Sequence, residues 1–358
     1  MPRVKQIDRW LVGATLVTAA FGVVMVASAS GPLARESYHL PQGEFALRQL
    51  VAVVLGCAAM LAATFVPLEW LTGWRVAMTG LAGTWAALLL AFLQPTVAST
   101  HRWLQLPGIS VQPSAIAKVT LPLALAALIS RHRERRADPR HTFALAAAII
   151  AVTVGLVLAE PDFGSAVLLT VAAAAVLVVA GVPWRPMLLA AAAGIPVFVV
   201  AIALKPYRVE RMRSFFGSIS YQVHQSLIAL GRGGFLGQGP GESVQKLFYL
   251  PQPHTDFIFA IAGEELGFIG TTLILLVLGV IVARGLRAVA HASRLSHALV
   301  AAGLTTTLAV QALLNASVCL NLLPAKGLPL PLISAGGSDV VLTFAAIGLL
   351  LNIAKEGT

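Results

Sequence analysis

Long apolar stretches separated by short polar connections recur along the whole chain, each near the roughly 20 residues a helix needs to cross a bilayer. They fall at about Trp10–Ser28, Phe45–Val66, Val76–Gln94, Ser114–Ser130, Thr142–Ala159, Gly164–Val182, Met187–Leu204, Phe257–Ala283, Ser296–Leu320 and Asp339–Ala354. The pattern predicts an all-α polytopic membrane protein of about ten transmembrane helices, with no separate soluble domain in residues 1–358. One connection is far longer than the rest, running from Lys205 to Asp256 between spans seven and eight. The first apolar run has no small-residue cleavage site followed by a soluble domain, so it reads as a retained span.

Composition agrees with that pattern. The 358 residues are 58% hydrophobic and 11% charged, and mean hydropathy is +0.84. Soluble domains carry about 25% charged residues. The formal charge of +10 would suit nucleic acid, but its placement points to a membrane instead. Arg3, Lys5 and Arg9 precede the first span; Arg131, Arg133, Arg135, Arg136 and Arg140 follow the fourth; Arg284, Arg287 and Arg294 follow the eighth. Alternate connections therefore hold the positive excess, which predicts cytoplasmic termini and an outward-facing loop 205–256. Cys57 and Cys319 lie in apolar runs and read as small core residues, with no metal-ligand spacing.

Against this background certain polar residues call for an explanation. Asp256 closes the long loop where an apolar run begins, so the pattern sets it where water gives way to lipid. Partial desolvation raises a carboxyl toward the range of a general base; the alternative is an N-cap for the next helix. Lys118 sits about one turn inside a span, at a cost of roughly 2.5–3.5 kcal/mol unless paired, hydrated or snorkelled. Glu160, Asp162, Glu264 and Asp339 are its candidate partners. Arg48-Gln49 reads as a headgroup-snorkelling pair, and Arg102-Trp103 as an interfacial anchor. Glu160-Pro161-Asp162-Phe163-Gly164 breaks an apolar region as a tight outer turn or re-entrant bend. Lys205, Arg208, Arg211 and Arg213 form a basic cluster on the outer side, where the orientation rule expects none. They suit a lipid diphosphate or, alternatively, anionic lipid in general. The glycine-rich run Gly231–Gly241 has no Gly-Lys-Ser/Thr and is not a P-loop; it reads as a close-packed or mobile loop.

The run Tyr249-Leu250-Pro251, His254-Thr255-Asp256-Phe257-Ile258-Phe259-Ala260 and Glu264-Glu265-Leu266-Gly267 resembles the signature of the SEDS family (shape, elongation, division, sporulation). The Ser-x-Gln-Lys run ending at Lys246 and Lys326-Gly327-Leu328 before Pro-Leu-Pro are more similar to its FtsW-type division branch than to its RodA-type elongation branch. Departures are Ala115 where glutamate is usual, Gln252-Pro253 where Glu-x is usual, Ala335 for tyrosine and Asp339 for serine.

The resemblance implies a peptidoglycan glycosyltransferase that polymerises lipid II on the outer face of the bacterial cytoplasmic membrane, in division or cell-shape wall synthesis. It implies Asp256 as the essential residue of an inverting transfer. Arg48, Arg102, Lys118, Asp162, Lys205, Arg208, Arg211, Arg213, Lys246, His254, Lys326 and Ser334 are the substrate-binding candidates. A class B penicillin-binding transpeptidase and other divisome or elongasome membrane proteins are the expected partners. A divalent cation, Mg²⁺ or Mn²⁺, is a candidate aid for the diphosphate; no organic cofactor and no nucleic acid are expected. A flippase or transporter remains the alternative, with Lys118, Glu160, Glu264 and Asp339 lining a polar path; a noncatalytic scaffold is a third reading.

Overall fold

Lipid offers the backbone no hydrogen bonds, so each apolar stretch must close its own, and in the computed structural model every one does so as a helix. The structure describes residues 7–94, 102–106, 109–203, 209–210, 215, 217, 219–324 and 327–356. The helices are α1 (Arg9–Glu36), α2 (Glu44–Phe65), the short α3 (Leu68–Leu71), α4 (Trp74–Ala91), α5 (Pro113–Glu134), α6 (Pro139–Ala159), α7 (Phe163–Val179) and α8 (Trp184–Ala203). After the long loop come α9 (Tyr221–Gly233), α10 (Ile258–His291), α11 (Leu295–Cys319) and α12 (Gly337–Glu356). Eight of these are long and apolar enough to cross a membrane, and α7 and the Trp184–Val200 stretch of α8 are shorter apolar helices. Strands β1 (Leu104–Leu106) and β2 (Ile109–Val111) pair antiparallel before α5.

The bundle is layered by what each helix faces. α5, α11 and α12 are mostly enclosed by protein, whereas α2, α4 and α6 leave most of their length outside it. Large apolar side chains such as Leu47, Val51, Val54 and Leu61 on α2 point outward. The interior takes in polar residues instead, among them Lys118, Gln311, Asn315 and Asp339. Apolar tails outside remove the drive to bury leucines, so packing and interhelical hydrogen bonds decide the interior.

One expected span proves to be two elements. α10 has 34 residues, about 51 Å at 1.5 Å per residue, against a hydrocarbon core of about 30 Å. It breaks at Gly267, whose φ of 68° and ψ of −165° are non-helical. Residues 258–265 before the break are buried in protein almost throughout. Asp256 therefore precedes a half-helix enclosed by the bundle, not a lipid-facing span as the hydropathy pattern implied. The glycine-rich loop takes over the broken ladder: Phe268 N donates to Gly234 O at 2.8 Å, and Gln238 N to Glu264 O at 2.9 Å. A Cβ on Gly267 would lie 2.4 Å from Gly237 N, so the run is close-packed by necessity.

The two ends of the bundle differ in chemistry. At the end holding the start of α1, Asp8 caps that helix and pairs with Arg284 at 2.5 Å. Arg294 pairs with Glu69 at 3.4 Å, and Arg131 lies over Trp74. Arg284 and Arg294 thus bind protein carboxylates as well as marking an end, which the orientation reading alone did not foresee. Cys57 and Cys319 are both free thiols.

Candidate active site

The opposite end gathers the loop that carries Asp256 and the loop 327–335 before α12. Asp256 is half-buried, and its backbone carbonyl accepts from Asn315 Nδ2 at 2.8 Å. The same amide nitrogen holds Leu328 O at 2.7 Å, so one side chain of α11 ties both loops together. Gly327 faces the Asp256 carboxylate: a Cβ there would stand 2.9 Å from Oδ2. The N-cap position of α10 is Phe257, with no side-chain cap bond. The cap position of α10 thus falls to Phe257, one residue after Asp256.

More bonds stitch the two loops. Ser334 Oγ donates to Thr255 O at 2.6 Å and accepts from Leu330 N at 2.7 Å. Ala335 N donates to His254 O at 2.9 Å. Gln49 Nε2 donates to Ser334 O at 3.2 Å, and Gln49 is 2% exposed. Gln49 is thus a bond from α2 into the site wall, not half of a snorkelling pair. Arg48 does lie out toward solvent, paired with Glu44 one turn back at 2.8 Å.

Beneath the loops, Lys118 Nζ bonds Asp339 Oδ1 at 2.5 Å and Gln311 Oε1 at 2.9 Å. Gln311 Nε2 in turn donates to Asp339 Oδ2 at 2.9 Å and to Pro329 O at 3.0 Å. Asp339 is thus the partner of Lys118 among the four carboxylates considered. Beside the pair lies a cavity of only about 10 Å³, room for at most one water. Glu264 is elsewhere, accepting from Ser243 Oγ, Val244 N and Gln245 N.

Several sequence-selected residues are consumed by the protein itself. Lys246 is buried, and its three N–H donors go to Ser28 Oγ, Gly241 O and Glu265 Oε1. It anchors the loop after α9 and has no donor left for a substrate. Asp162 is 1% exposed and accepts from Gln112 Nε2, Ser114 Oγ and Ser165 N. It builds the start of α7, where the sequence made it a binding residue. Ser334 Oγ is likewise tied into the loop frame, and Lys118 gives two of its three N–H donors to Gln311 and Asp339.

Arg102 is half-buried, and its guanidinium donates to Glu160 O and Pro161 O, which leaves further donors. His254 is buried against Phe45, with ring centroids 5.0 Å apart. Burial lowers its pKa to about 4, so it stands neutral beside the site and supplies no cation for a diphosphate. Burial, with Asp162 adding to it and Arg102 opposing, raises the Glu160 carboxyl to about 8. Lys205, Arg208, Arg211, Arg213 and Lys326 lie outside the described residues.

The residues that sequence reasoning missed are Gln311 and Asn315. Their signal was present: two amides at i and i+4 share one face of an otherwise apolar helix. Among the described residues no three His, Cys, Asp or Glu side chains converge as a metal cage.

A family model described as cell cycle protein, covering FtsW, RodA and SpoVE, matches residues 9–358. A protein of Coxiella burnetii named probable peptidoglycan glycosyltransferase FtsW is 40% identical, over 98% of this chain and 96% of its own. Its namesake in Trichlorobacter lovleyi is 34% identical, over 98% and 94%. Among solved structures, a chain of a peptidoglycan synthase complex that coordinates polymerization and crosslinking superposes with a TM-score of 0.81 at 28% identity, covering 98% of each chain. The rod shape determining protein RodA of Thermus thermophilus gives 0.73 at 28%, covering 98% of this chain and 97% of that one.

Proposed function

The chain belongs to the FtsW, RodA and SpoVE family of cell cycle proteins, and from that premise we propose that it is a peptidoglycan glycosyltransferase of the FtsW type. It polymerises lipid II at the membrane end that holds Asp256. The observation that carries the assignment is a half-buried carboxylate whose loop is held by Asn315 and whose face is kept open by Gly327. In the reaction the acceptor hydroxyl oxygen attacks the anomeric carbon of the donor sugar. The bond from that carbon to the diphosphate oxygen breaks, and the hydroxyl proton passes to Asp256. One carboxylate suffices as base for such an inverting transfer, and a positioned base is worth about 10²–10⁴-fold.

The departing diphosphate needs cations. Arg102 has donors to spare, and Lys205, Arg208, Arg211, Arg213 and Lys326 supply the other candidates from the sequence. Were Mg²⁺ or Mn²⁺ bound, Asp256 would be the carboxylate to hold it, since Mg²⁺ uses one or two carboxylates plus substrate phosphates. It would neutralise charge on the leaving group. The positive excess at the Asp8 end supports cytoplasmic termini and an outward-facing site in the bacterial cytoplasmic membrane. A class B penicillin-binding transpeptidase is the partner proposed, by likeness to the synthase complex.

Purified protein with its partner and labelled lipid II tests the assignment. Asp256→Asn keeps the side-chain shape and removes the base, so polymer should fall by roughly two or more orders of magnitude. A folded, partner-bound variant that polymerises at near the parental rate would refute it.

A further inference from the structure

A large cavity lies at the other end of the bundle. α5 starts at the candidate-site end and has 22 residues, about 33 Å at 1.5 Å per residue. Its C-terminal turn is therefore a membrane thickness away from the Asp256 end. There, between the end of α5, the start of α6 and the α7–α8 connection, opens a cavity of about 1020 Å³. Ile129, Phe143, Ala146 and Leu177 form apolar lining, and the exposed Arg133, Arg136 and Arg140 are among the residues at its edge.

We infer that this cavity seats an anionic diacyl phospholipid of the leaflet opposite the active site, its phosphate among the three arginines and an acyl chain along the apolar wall. Volume argues for a lipid over a free anion, because a phosphate alone would leave most of an apolar space unfilled. Charge argues for an anionic headgroup. On the same connection, Asp138 turns to the start of α6 and accepts from Arg140 N at 2.9 Å. Neither Asp138 nor Glu134 lines the cavity. Depth agrees as well, since basic pockets between helices at a membrane surface bind anionic headgroups. The rim is built rather than loose: Arg136 sits in a left-handed turn (φ 52°) closed by Ala137 N donating to His132 O at 2.9 Å. The three arginines also have no place in the chemistry around Asp256.

The test reconstitutes the full chain in nanodiscs made from an equal mixture of phosphatidylglycerol and phosphatidylethanolamine. Native mass spectrometry then counts each lipid retained per chain after detergent washing. The parental protein should keep phosphatidylglycerol preferentially. The triple substitution Arg133→Gln, Arg136→Gln, Arg140→Gln should lower that retention about tenfold or more. Val179→Trp, at an exposed position on the cavity wall, keeps every charge and should lower it too by filling the acyl-chain space. Parental retention in the triple variant overturns the inference. So does loss in the triple variant with full retention in Val179→Trp, which is the signature of surface attraction alone. Equal loss of both lipids in Val179→Trp overturns it as well. If the triple variant does not fold, the Val179→Trp result decides.

Discussion

The Lys118–Asp339 pair bears most directly on how the site is held. Both side chains are under a tenth exposed, and they meet at 2.5 Å. Lys118→Met keeps the aliphatic stem and removes the ammonium, leaving Asp339 buried with Gln311 Nε2 as its remaining bond at 2.9 Å. Breaking a buried pair from one side costs about 3–5 kcal/mol, whereas removing both charges is often close to neutral. Asp339→Asn alone leaves an uncompensated lysine and should cost a similar amount. The double variant, with the asparagine still able to bond Gln311, should recover most of the loss. The coupling in this cycle should thus reach about 2 kcal/mol or more, well above the roughly 0.3–0.5 kcal/mol scatter of independent sites. Melting in detergent at one fixed scan rate measures it, because irreversible unfolding makes the apparent Tm depend on scan rate. Polymerisation should follow the same order, since Gln311 carries the pair to Pro329 and so to the loop that faces Asp256. Single-variant losses that simply add in the double variant would refute the reasoning.

Three further outcomes are expected. Gly267→Ala places a Cβ 2.4 Å from Gly237 N at a φ of 68° and should cost well over about 1 kcal/mol, read as a lowered Tm; an unchanged Tm would mean the break in α10 is not fixed. Gly327→Ala sets its Cβ 2.9 Å from Asp256 Oδ2 and should leave Tm nearly unchanged while lowering lipid II turnover about tenfold or more, as misplacement of about 1 Å can cost 10²-fold; parental turnover would argue that the carboxylate is not held there during reaction. Glu160, raised from 4.5 to about 8 by burial, keeps its proton in the folded state while the unfolded chain releases it, so stability falls as pH rises from about 4.5 toward 8. Glu160→Gln removes that dependence and should raise Tm at pH 8 but not at pH 4.5; an equal increment at both would place the effect in packing instead.

The helices were legible because lipid imposes one solution on an apolar run of that length. Phe257–Ala283 shows where the same reasoning fails. Hydropathy records that Ile258, Phe259 and Ile261 avoid water, and is blind to whether lipid or protein covers them. Here protein does, and the span proper starts after Gly267. The glycine run told the same half of the story. Its composition predicts close approach or mobility, and only the bonds from Phe268 and Gln238 decide for close approach.

The sequence marks a candidate site at Asp256 by its motif, and marks the polar residues around it less clearly. Lys118 and its partner are 221 residues apart, and nothing local selects Asp339 over Glu160, Asp162 or Glu264. Once the bonds are known, a general distinction emerges from donor counts. A polar side chain inside a bundle is costly unless the protein satisfies it. Lys246, Asp162 and Ser334 are satisfied, and what satisfies them is the frame of the site. A group spent in that way has nothing left for a diphosphate. Binding the anion must then fall to side chains whose donors are not used up by the fold. Arg102, with two bonds to backbone carbonyls and donors remaining, meets that requirement. Depth in the apolar run thus says little about substrate contact, because protein bonds can claim a buried charge first, as they claim every donor of Lys246.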